Sequence, residues 1–253
     1  MDIRQIRLGK VAYPLLAFVF FILIWELSII IFKTNSALFP SPMSVMIALL
    51  QSNDLWSDVA ISMLRLTLGV IMGVSVGIMF GLITGRVAFV NNTLGNIANF
   101  FRFTPTLAIV PLFLVWFGIG ESSKIFLLAW GAFFSVWIST HSGIKDLENK
   151  YLLVAKSLDV KRLFFWKNII LKGSINNIIN GTRIGMGVAF MILIAAEMLG
   201  AYSGIGYRIF FFQSVYRIDK MVGYILVISL IGLLVDKIFV IMAKRFTPWK
   251  DNV

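Results

Sequence analysis

The segment ISMLRLTLGVIMGVSVGIMFGLIT, residues 61–84, decides the fold of this chain. Arg65 is its only charged residue. About 20 apolar residues in a helix cross the hydrocarbon core of a bilayer, so this segment is predicted to span a membrane. Its glycines recur every fourth residue, which predicts close packing of one helix face against a neighbouring helix. The predicted packing residues are Gly69, Gly73, Gly77 and Gly81, and Gly85 continues the series.

The rest of the chain repeats this pattern. Three further segments are as long and apolar, at about 11–32, 122–142 and 221–243, and two at about 93–118 and 181–201 are interrupted by Gly, Pro or charge. Interrupted spans are tolerated because neighbouring helices can satisfy the broken backbone. The chain of 253 residues is 59% hydrophobic and 14% charged, whereas about a quarter of the residues of a soluble domain are charged. The sequence predicts an all-α integral membrane protein with about six spans in one domain, 1–253.

The basic residues indicate an orientation. The net charge is +11, and placing the N-terminus in the cytoplasm puts most Lys and Arg residues there, including the cluster between Lys145 and Lys172. Only Lys33, Lys124, Arg208, Arg217 and Lys220 are then external. This asymmetry follows the positive-inside rule, so both termini are predicted to be cytoplasmic. The membrane topology therefore explains the high positive charge. Membrane lipid is the expected surrounding of the chain, and no nucleic-acid partner is expected.

Two connections have helical character of their own. Pro42 is suited to the first turn of a short helix ending near Gln51, although an ordinary loop fits the periodicity equally. The basic segment of about 145–180 carries an apolar stripe at helical spacing. Such a segment can lie on the membrane surface or fill a groove on a partner protein, and the pattern alone does not choose. The stripe residues are Leu147, Tyr151, Val154, Leu158, Phe165 and Ile169.

Catalytic machinery is not evident in the sequence. The chain has one histidine, His141, and no cysteine, and no nucleophile stands beside a base and an orienting group. A glycine-rich phosphate loop and metal-ligand spacing are also missing from the sequence. We therefore expect no enzyme activity, no metal and no cofactor on this chain, and an intramembrane enzyme is the weakest of the hypotheses.

Charges inside predicted spans need an account because they are costly in lipid. Arg65 and Arg183 are predicted to lie near helix ends and to extend toward the interface, and Asp236 and Lys237 to neutralise each other. Arg102, Thr104 at the Thr104–Pro105 break, and Glu197 are predicted to line a solute path. For the two charged residues, a structural ion pair is the alternative.

Several motifs, in this order and spacing, resemble one family. The stretch YLLVAKSLDV, residues 151–160, resembles the cytoplasmic EAA loop of ABC importer permeases. The other motifs are similar to the nitrate/sulfonate/taurine branch of these permeases. They are LFPSP at 38–42, SMLR at 62–65, TPTLAIVPL at 104–112, WFGIGE at 116–121, AAEM at 195–198 and SGIGY at 203–207.

This resemblance implies a type I ABC importer permease of the cell inner membrane. It implies a second permease copy, two cytoplasmic ATPase subunits that carry ATP and Mg²⁺, and an extracytoplasmic solute-binding protein. A short coupling helix between spans 4 and 5 would dock in a groove of the ATPase and transmit its motion. The coupling residues implied by the match are Tyr151, Val154, Ala155, Ser157, Leu158 and Asp159.

The match departs from the family pattern at three places. Leu153 stands where the family has Glu, Asp159 where it has Gly, and Leu171–Lys172 where it has Leu-Pro. Because Gly permits a positive φ more readily than Asp, the turn after Leu158 either differs or depends on the partial tolerance of Asp.

The solute is left open by the sequence. Family members carry nitrate, bicarbonate, sulfonates, taurine, or pyrimidine and flavin vitamins, so a small anionic or vitamin-like solute is expected. An ion-gradient-driven secondary transporter or channel subunit is the alternative, since a broken span is typical of such proteins. Against it, the two halves of the chain show no convincing repeat.

Overall fold

Helices account for nearly all of the described chain. The computed structural model describes residues 3–32, 38–86, 100–101, 104–147 and 149–247. The helices, numbered here in chain order, are α1 Ile3–Phe32, α2 Pro42–Leu50, α3 Leu55–Arg86, α4 Thr106–Phe117, α5 Glu121–Lys145, α6 Asn149–Ser157, α7 Leu171–Gly200, α8 Ile205–Ser214 and α9 Ile218–Phe246. A single turn, Arg162–Phe164, and a π-helical segment, Phe165–Ile170, lead directly into α7.

Four helices in the described part are long and apolar enough to cross a membrane: Leu55–Arg86, Glu121–Lys145, Phe165–Gly200 and Ile218–Arg245. They contain the spans predicted at 61–84, 122–142 and 221–243, and the span predicted at 181–201 apart from Ala201. Within α1, the apolar stretch Leu16–Ile31 is shorter, and so is α4. The first part of the predicted third span lies outside the described residues, apart from 100–101. A count of six spans therefore stays a prediction.

Helix α5 is the centre of the bundle and packs between α3 and α7. The glycine stripe of α3 faces α5, and a Cβ added at any of its five glycines would lie less than 3.0 Å from an atom of α5. Gly181 and Gly185 of α7 approach Ser139 and Ala132 of α5 from the other side. Small residues thus bring three backbones together without the hydrophobic effect, which does not drive association within lipid.

The short helix predicted at Pro42 is present as α2. Ser41 caps it, since its hydroxyl accepts from the Ser44 N–H at 3.2 Å, and Pro42 occupies the first turn. This arrangement satisfies one backbone donor and places Pro where no hydrogen bond is lost.

The prediction of one continuous apolar stripe along the basic connection is wrong. Helix α6 ends at Ser157, and Phe165 and Ile169 belong to the π-helical segment that continues into α7. The stripe is therefore divided at residues 158–161. Periodicity missed the break because apolar residues on either side of the turn keep helical spacing.

Candidate functional site

Arg65 lies at the centre of a buried ion network where α3 begins and α7 ends. Its guanidinium is 1% exposed. Nη1 donates to Glu197 Oε1 at 2.7 Å, while Nε and Nη2 donate to the two oxygens of Glu121 at 2.6 and 2.7 Å. The prediction that Arg65 extends toward the membrane interface is wrong, because two carboxylates hold it inside the protein. We call this cluster, with the residues described below, the Arg65 network.

Glu197 is the buried carboxylate of the network and is 0% exposed. Ser62 donates to it, with Oγ at 2.8 and 2.9 Å from its two oxygens, and the Gly206 N–H donates at 2.8 Å. A buried charge is tolerated when it is both paired and hydrogen-bonded. Of the two interpretations of Glu197, a path residue or a structural ion pair, this geometry favours the ion pair.

The start of α8 supplies backbone donors to the same network. The N–H groups of Gly204, Ile205 and Gly206 donate to Asp58 Oδ1, Ser62 Oγ and Glu197 Oε2, at 2.9, 2.9 and 2.8 Å. These donors have no partner within their own helix, so side chains from α3 and α7 cap α8.

Glycine is required at two positions of this helix start. Gly204 has φ +108, and a Cβ added there would lie 2.5 Å from Glu197 Oε1. A Cβ added at Gly206 would lie 2.7 Å from the Ile194 carbonyl oxygen. The motif SGIGY thus has glycine where another helix approaches and where the backbone is left-handed.

Two more cations complete the network. Lys124 Nζ lies 2.9 Å from Glu121 Oε1, and Arg208 binds Asp58 at 2.8 Å and Asp54 at 2.6 Å. Burial lowers the pKa of the Arg208 guanidinium, but the hydrogen bond and the charge of Asp58 outweigh this effect, so the pKa lies above its ordinary value. Arg208 therefore stays charged at every physiological pH.

A second ion pair joins α7 to α9. Arg183 Nε and Nη2 donate to the two oxygens of Asp236 at 2.6 and 2.7 Å. The prediction that Asp236 is neutralised by Lys237 is wrong, because neighbouring residues on a helix point in different directions. Both paired side chains are at least 40% exposed although they belong to span-length helices.

The two predicted path residues that the structure describes, Thr104 and Glu197, lie in different parts of the chain's fold. Arg102 lies outside the described residues, Thr104 is half-buried just before α4, and Glu197 belongs to the Arg65 network. A cavity of about 220 Å³ lies between the start of α4, the middle of α5 and α7. It is lined by Thr106, Ser135 and Ser139 among others, and the sequence did not predict a role for these three. The one pattern that could have indicated the cavity is the pair of serines one turn apart in an apolar span.

The predicted coupling residues form the short helix α6 and the turn that follows. Val154 is 55% exposed and Leu158 is 70% exposed, and Tyr151 and Ser157 are also exposed. Tyr151, Val154 and Leu158 recur at helical spacing and share one face. Ala155 is 5% exposed and faces the chain itself. Ala155 therefore has little surface left for a partner in this conformation, and its coupling role stays a prediction.

Asp159 adopts the conformation that the family pattern reserves for glycine. Its φ is +46, and the Val160 N–H bonds back to the Ala155 carbonyl at 3.2 Å. This six-residue closure with a left-handed residue is a Schellman C-cap. Asp is among the few residues that enter this region at modest cost. The turn thus depends on the tolerance of Asp, one of the two outcomes expected from the sequence.

Solved structures identify the class of this fold. The chain resembles a subunit in the crystal structure of an amino acid ABC transporter with histidines, with a TM-score of 0.59 and 17% identity over 78% of this chain and 94% of that one. It also resembles a subunit of the MetNI methionine ABC transporter in an inward-facing conformation, with a TM-score of 0.60 and 16% identity over 76% of this chain and 94% of that one. The fold is that of type I ABC importer permeases, as predicted.

Sequence relatives then give the family. Residues 68–248 match the model of the binding-protein-dependent transport system inner membrane component, and the chain belongs to this family. The permease protein SsuC of Bacillus subtilis (strain 168), whose name refers to aliphatic sulfonates transport, is 31% identical over 91% of this chain and 85% of its own length. The taurine transport system permease protein TauC of Escherichia coli (strain K12) is 32% identical over 79% and 72%.

The resemblance to the sulfonate and taurine branch is thus confirmed. The chain is the permease subunit of an ATP-driven ABC importer, a multi-pass protein of the inner membrane, and works with an ATPase and a binding protein. The relatives support this function and give no support to an ion-gradient-driven transporter or channel.

Proposed function

We propose that two copies of this chain form the translocation path of an importer for short aliphatic sulfonates. One ATPase subunit docks on the α6 helix of each copy, and the binding protein delivers the solute at the opposite end of the bundle. The observation that carries the docking assignment is the exposed apolar face of α6 and the turn after it, formed by Tyr151, Val154 and Leu158. Such a face, bordered by charge, fits a groove on a partner protein.

The orientation follows from charge. Lys145 ends α5, and Lys161 and Lys167 follow α6, so basic residues surround the proposed docking helix. Basic residues are enriched in cytoplasmic loops. This distribution supports a cytoplasmic position for α6 and for both termini, and an external position for the Arg65 network.

The second copy is supported by charges that face away from the bundle. The Arg183–Asp236 pair is about half exposed within two span-length helices, and Gly187 of α7 has open space around it. An ion pair is costly against lipid and is expected to face protein or a water-filled path. A second copy against α7 supplies both. Arg102 and Thr104 remain proposed path residues because they stand at the break in the predicted third span.

The solute class rests on the relatives. SsuC and TauC are named for sulfonate and taurine transport, and these solutes share an anionic sulfonate head on a short carbon chain. We therefore propose ethanesulfonate and taurine as test solutes.

Reconstitution tests this function. The chain is purified with its ATPase and binding protein and placed in proteoliposomes with ATP enclosed on the ATPase side. We expect uptake of labelled ethanesulfonate or taurine that requires ATP and the binding protein. Uptake by the chain alone under an ion gradient would overturn the proposal.

Disulfide cross-linking tests the docking surface. Because the chain has no cysteine, Val154→Cys introduces a single thiol, which should cross-link to a cysteine placed in the groove of the ATPase. Leu153→Cys is the matched control: Leu153 is also exposed but points to a different side of α6. Equal cross-linking at both positions would contradict the assigned face.

A further inference from the structure

The cavity between α4, α5 and α7 combines apolar walls with hydroxyl groups. Its volume is about 220 Å³, enough for a solute of a few heavy atoms. Phe101, Phe134 and Ile184 contribute apolar surface, and Ser135 and Ser139 contribute hydroxyls from successive turns of α5. No charged side chain lines it among the described residues.

The two serines differ from Ser75 and Ser229, which lie in other membrane helices. A helical serine normally donates to the carbonyl four residues earlier, as Ser75 does to Ile71 at 2.7 Å and Ser229 to Ile225 at 2.8 Å. The hydroxyls of Ser135 and Ser139 have no hydrogen-bond partner within the described part of the chain. Each is therefore an available donor at the wall of the cavity.

The cavity lies deep in the bundle. At 1.5 Å per residue, Ser135 is roughly 21 Å from the Glu121 end of α5 and roughly 15 Å from the Lys145 end. A hydrocarbon core is about 30 Å thick, so the Ser135 hydroxyl is near its centre. Ser139 lies one turn, roughly 6 Å, closer to the Lys145 end. A solute that crosses beside α5 must pass this level.

We propose that this cavity is a transient binding site for the sulfonate head of the solute, with Ser135 and Ser139 as its hydrogen-bond donors. Sulfonate oxygens accept hydrogen bonds, and the short carbon chain packs on Phe101, Phe134 and Ile184. A cation finds no carboxylate among these residues. Because no described lining residue is cationic, the site holds an anion weakly, as passage requires. This inference rests on the proposed function and extends it to named residues.

Thiol protection tests the site in the assembled transporter. Ser135→Cys and Ser139→Cys are each the only cysteine of the chain, and their labelling by N-ethylmaleimide is timed in proteoliposomes. We expect saturating ethanesulfonate to slow labelling at both positions at least threefold. The matched control is Ser142→Cys, an exposed serine of the same helix that does not line the cavity, and its labelling should not change. Unchanged rates at both cavity positions, or equal protection by choline, would overturn the site.

Uptake separates this inference from the function on which it rests. The double variant Ser135→Ala/Ser139→Ala should lower ethanesulfonate uptake at saturating binding protein at least threefold, whereas Ser142→Ala should not. If the unmodified transporter imports ethanesulfonate but the double variant matches it, the cavity is not the site and the function stands. If the unmodified transporter imports no sulfonate, the proposed function fails and the cavity assignment fails with it.

Discussion

The Arg65 network and helix α6 lie at opposite ends of the bundle and differ in how their chemical groups are satisfied. In the network, four helices converge, and the carboxylate of Glu197 is met by a guanidinium, a hydroxyl and a backbone N–H. In α6 and the turn that follows it, Val154 and Leu158 leave more than half of their apolar surface uncovered.

This difference indicates that the Arg65 network stabilises the chain itself, whereas the exposed residues of α6 are suited to docking. A network whose donors and acceptors are paired inside one chain needs no partner, and disrupting it is expected to cost stability. An apolar surface left exposed beyond the membrane helices gains stability when a partner covers it, and the proposed partner of α6 is the ATPase. Changes in the network should therefore affect folding, and changes in α6 should affect assembly.

The largest effect is expected from Arg65→Met. The change leaves Glu197 buried without its charge partner, and loss of one partner of a buried pair typically costs about 3–5 kcal/mol. Thermal unfolding of the purified protein in detergent measures it. The control is Arg217→Met, because Arg217 is exposed and pairs with Asp219 outside the network; its expected cost is below about 1 kcal/mol. Similar losses in both variants would show that burial does not distinguish the two pairs.

A smaller effect is expected from Glu197→Gln, which removes the charge but keeps groups that can form hydrogen bonds. Its cost should be about 1–3 kcal/mol, since hydrogen bonds to a buried charge are lost or weakened. Glu121→Gln should cost less, because Glu121 is 57% exposed and water can replace its partner. The two variants are compared by the same unfolding assay, and a larger loss at Glu121 would reverse the proposed order within the network.

Helix α6 should respond in assembly rather than in stability. Val154→Asp places a charge on the proposed docking face and should weaken ATPase binding about tenfold, or about 1.4 kcal/mol, with no change in the melting temperature of the chain alone. Co-purification and ATPase-driven uptake measure the loss. Leu153→Asp, on a different side of α6, should bind the ATPase as the unmodified chain does. Weakening by both would indicate a contact that surrounds the helix.

The smallest effect is expected from Asp159→Gly. Gly adopts a positive φ without the steric cost that Asp has, so the turn after α6 should gain roughly 0.5–1 kcal/mol, reduced by the greater entropy of glycine in the unfolded chain. Asp159→Ala, which lacks the side-chain oxygens of Asp, should lose stability instead. Thermal unfolding in detergent compares the two, and a stabilising alanine would contradict the left-handed conformation.

Much of the fold was predictable because membrane helices follow simple rules. Apolar length identified the four span-length helices of the described chain, and the four-residue spacing of glycine in α3 identified its packing face. Apolar length and residue spacing did not predict how deeply a charged side chain is buried in the protein. Arg65 lies a few turns into α3, and length and periodicity gave no sign that Glu121 and Glu197 would meet it there.

The site was predictable only where local pattern carries the information. The coupling residues came from one continuous stretch, although the inward direction of Ala155 depends on how α6 packs. Ser135 and Ser139 were missed because serine in an apolar helix usually bonds to its own backbone. Whether a hydroxyl instead faces a cavity depends on the neighbouring helices.

The sequence by itself determined the class of this protein. Apolar length, the distribution of basic residues and motifs in a fixed order are local properties. They specify an inner-membrane permease and predict a docking segment. Only the tertiary structure decided which charges are paired. Ser62, Arg65, Glu121, Glu197 and Gly204 are far apart in the chain, and α3, α5, α7 and α8 bring them within hydrogen-bonding distance. Burial and pairing are properties of that packing, and no local pattern records them.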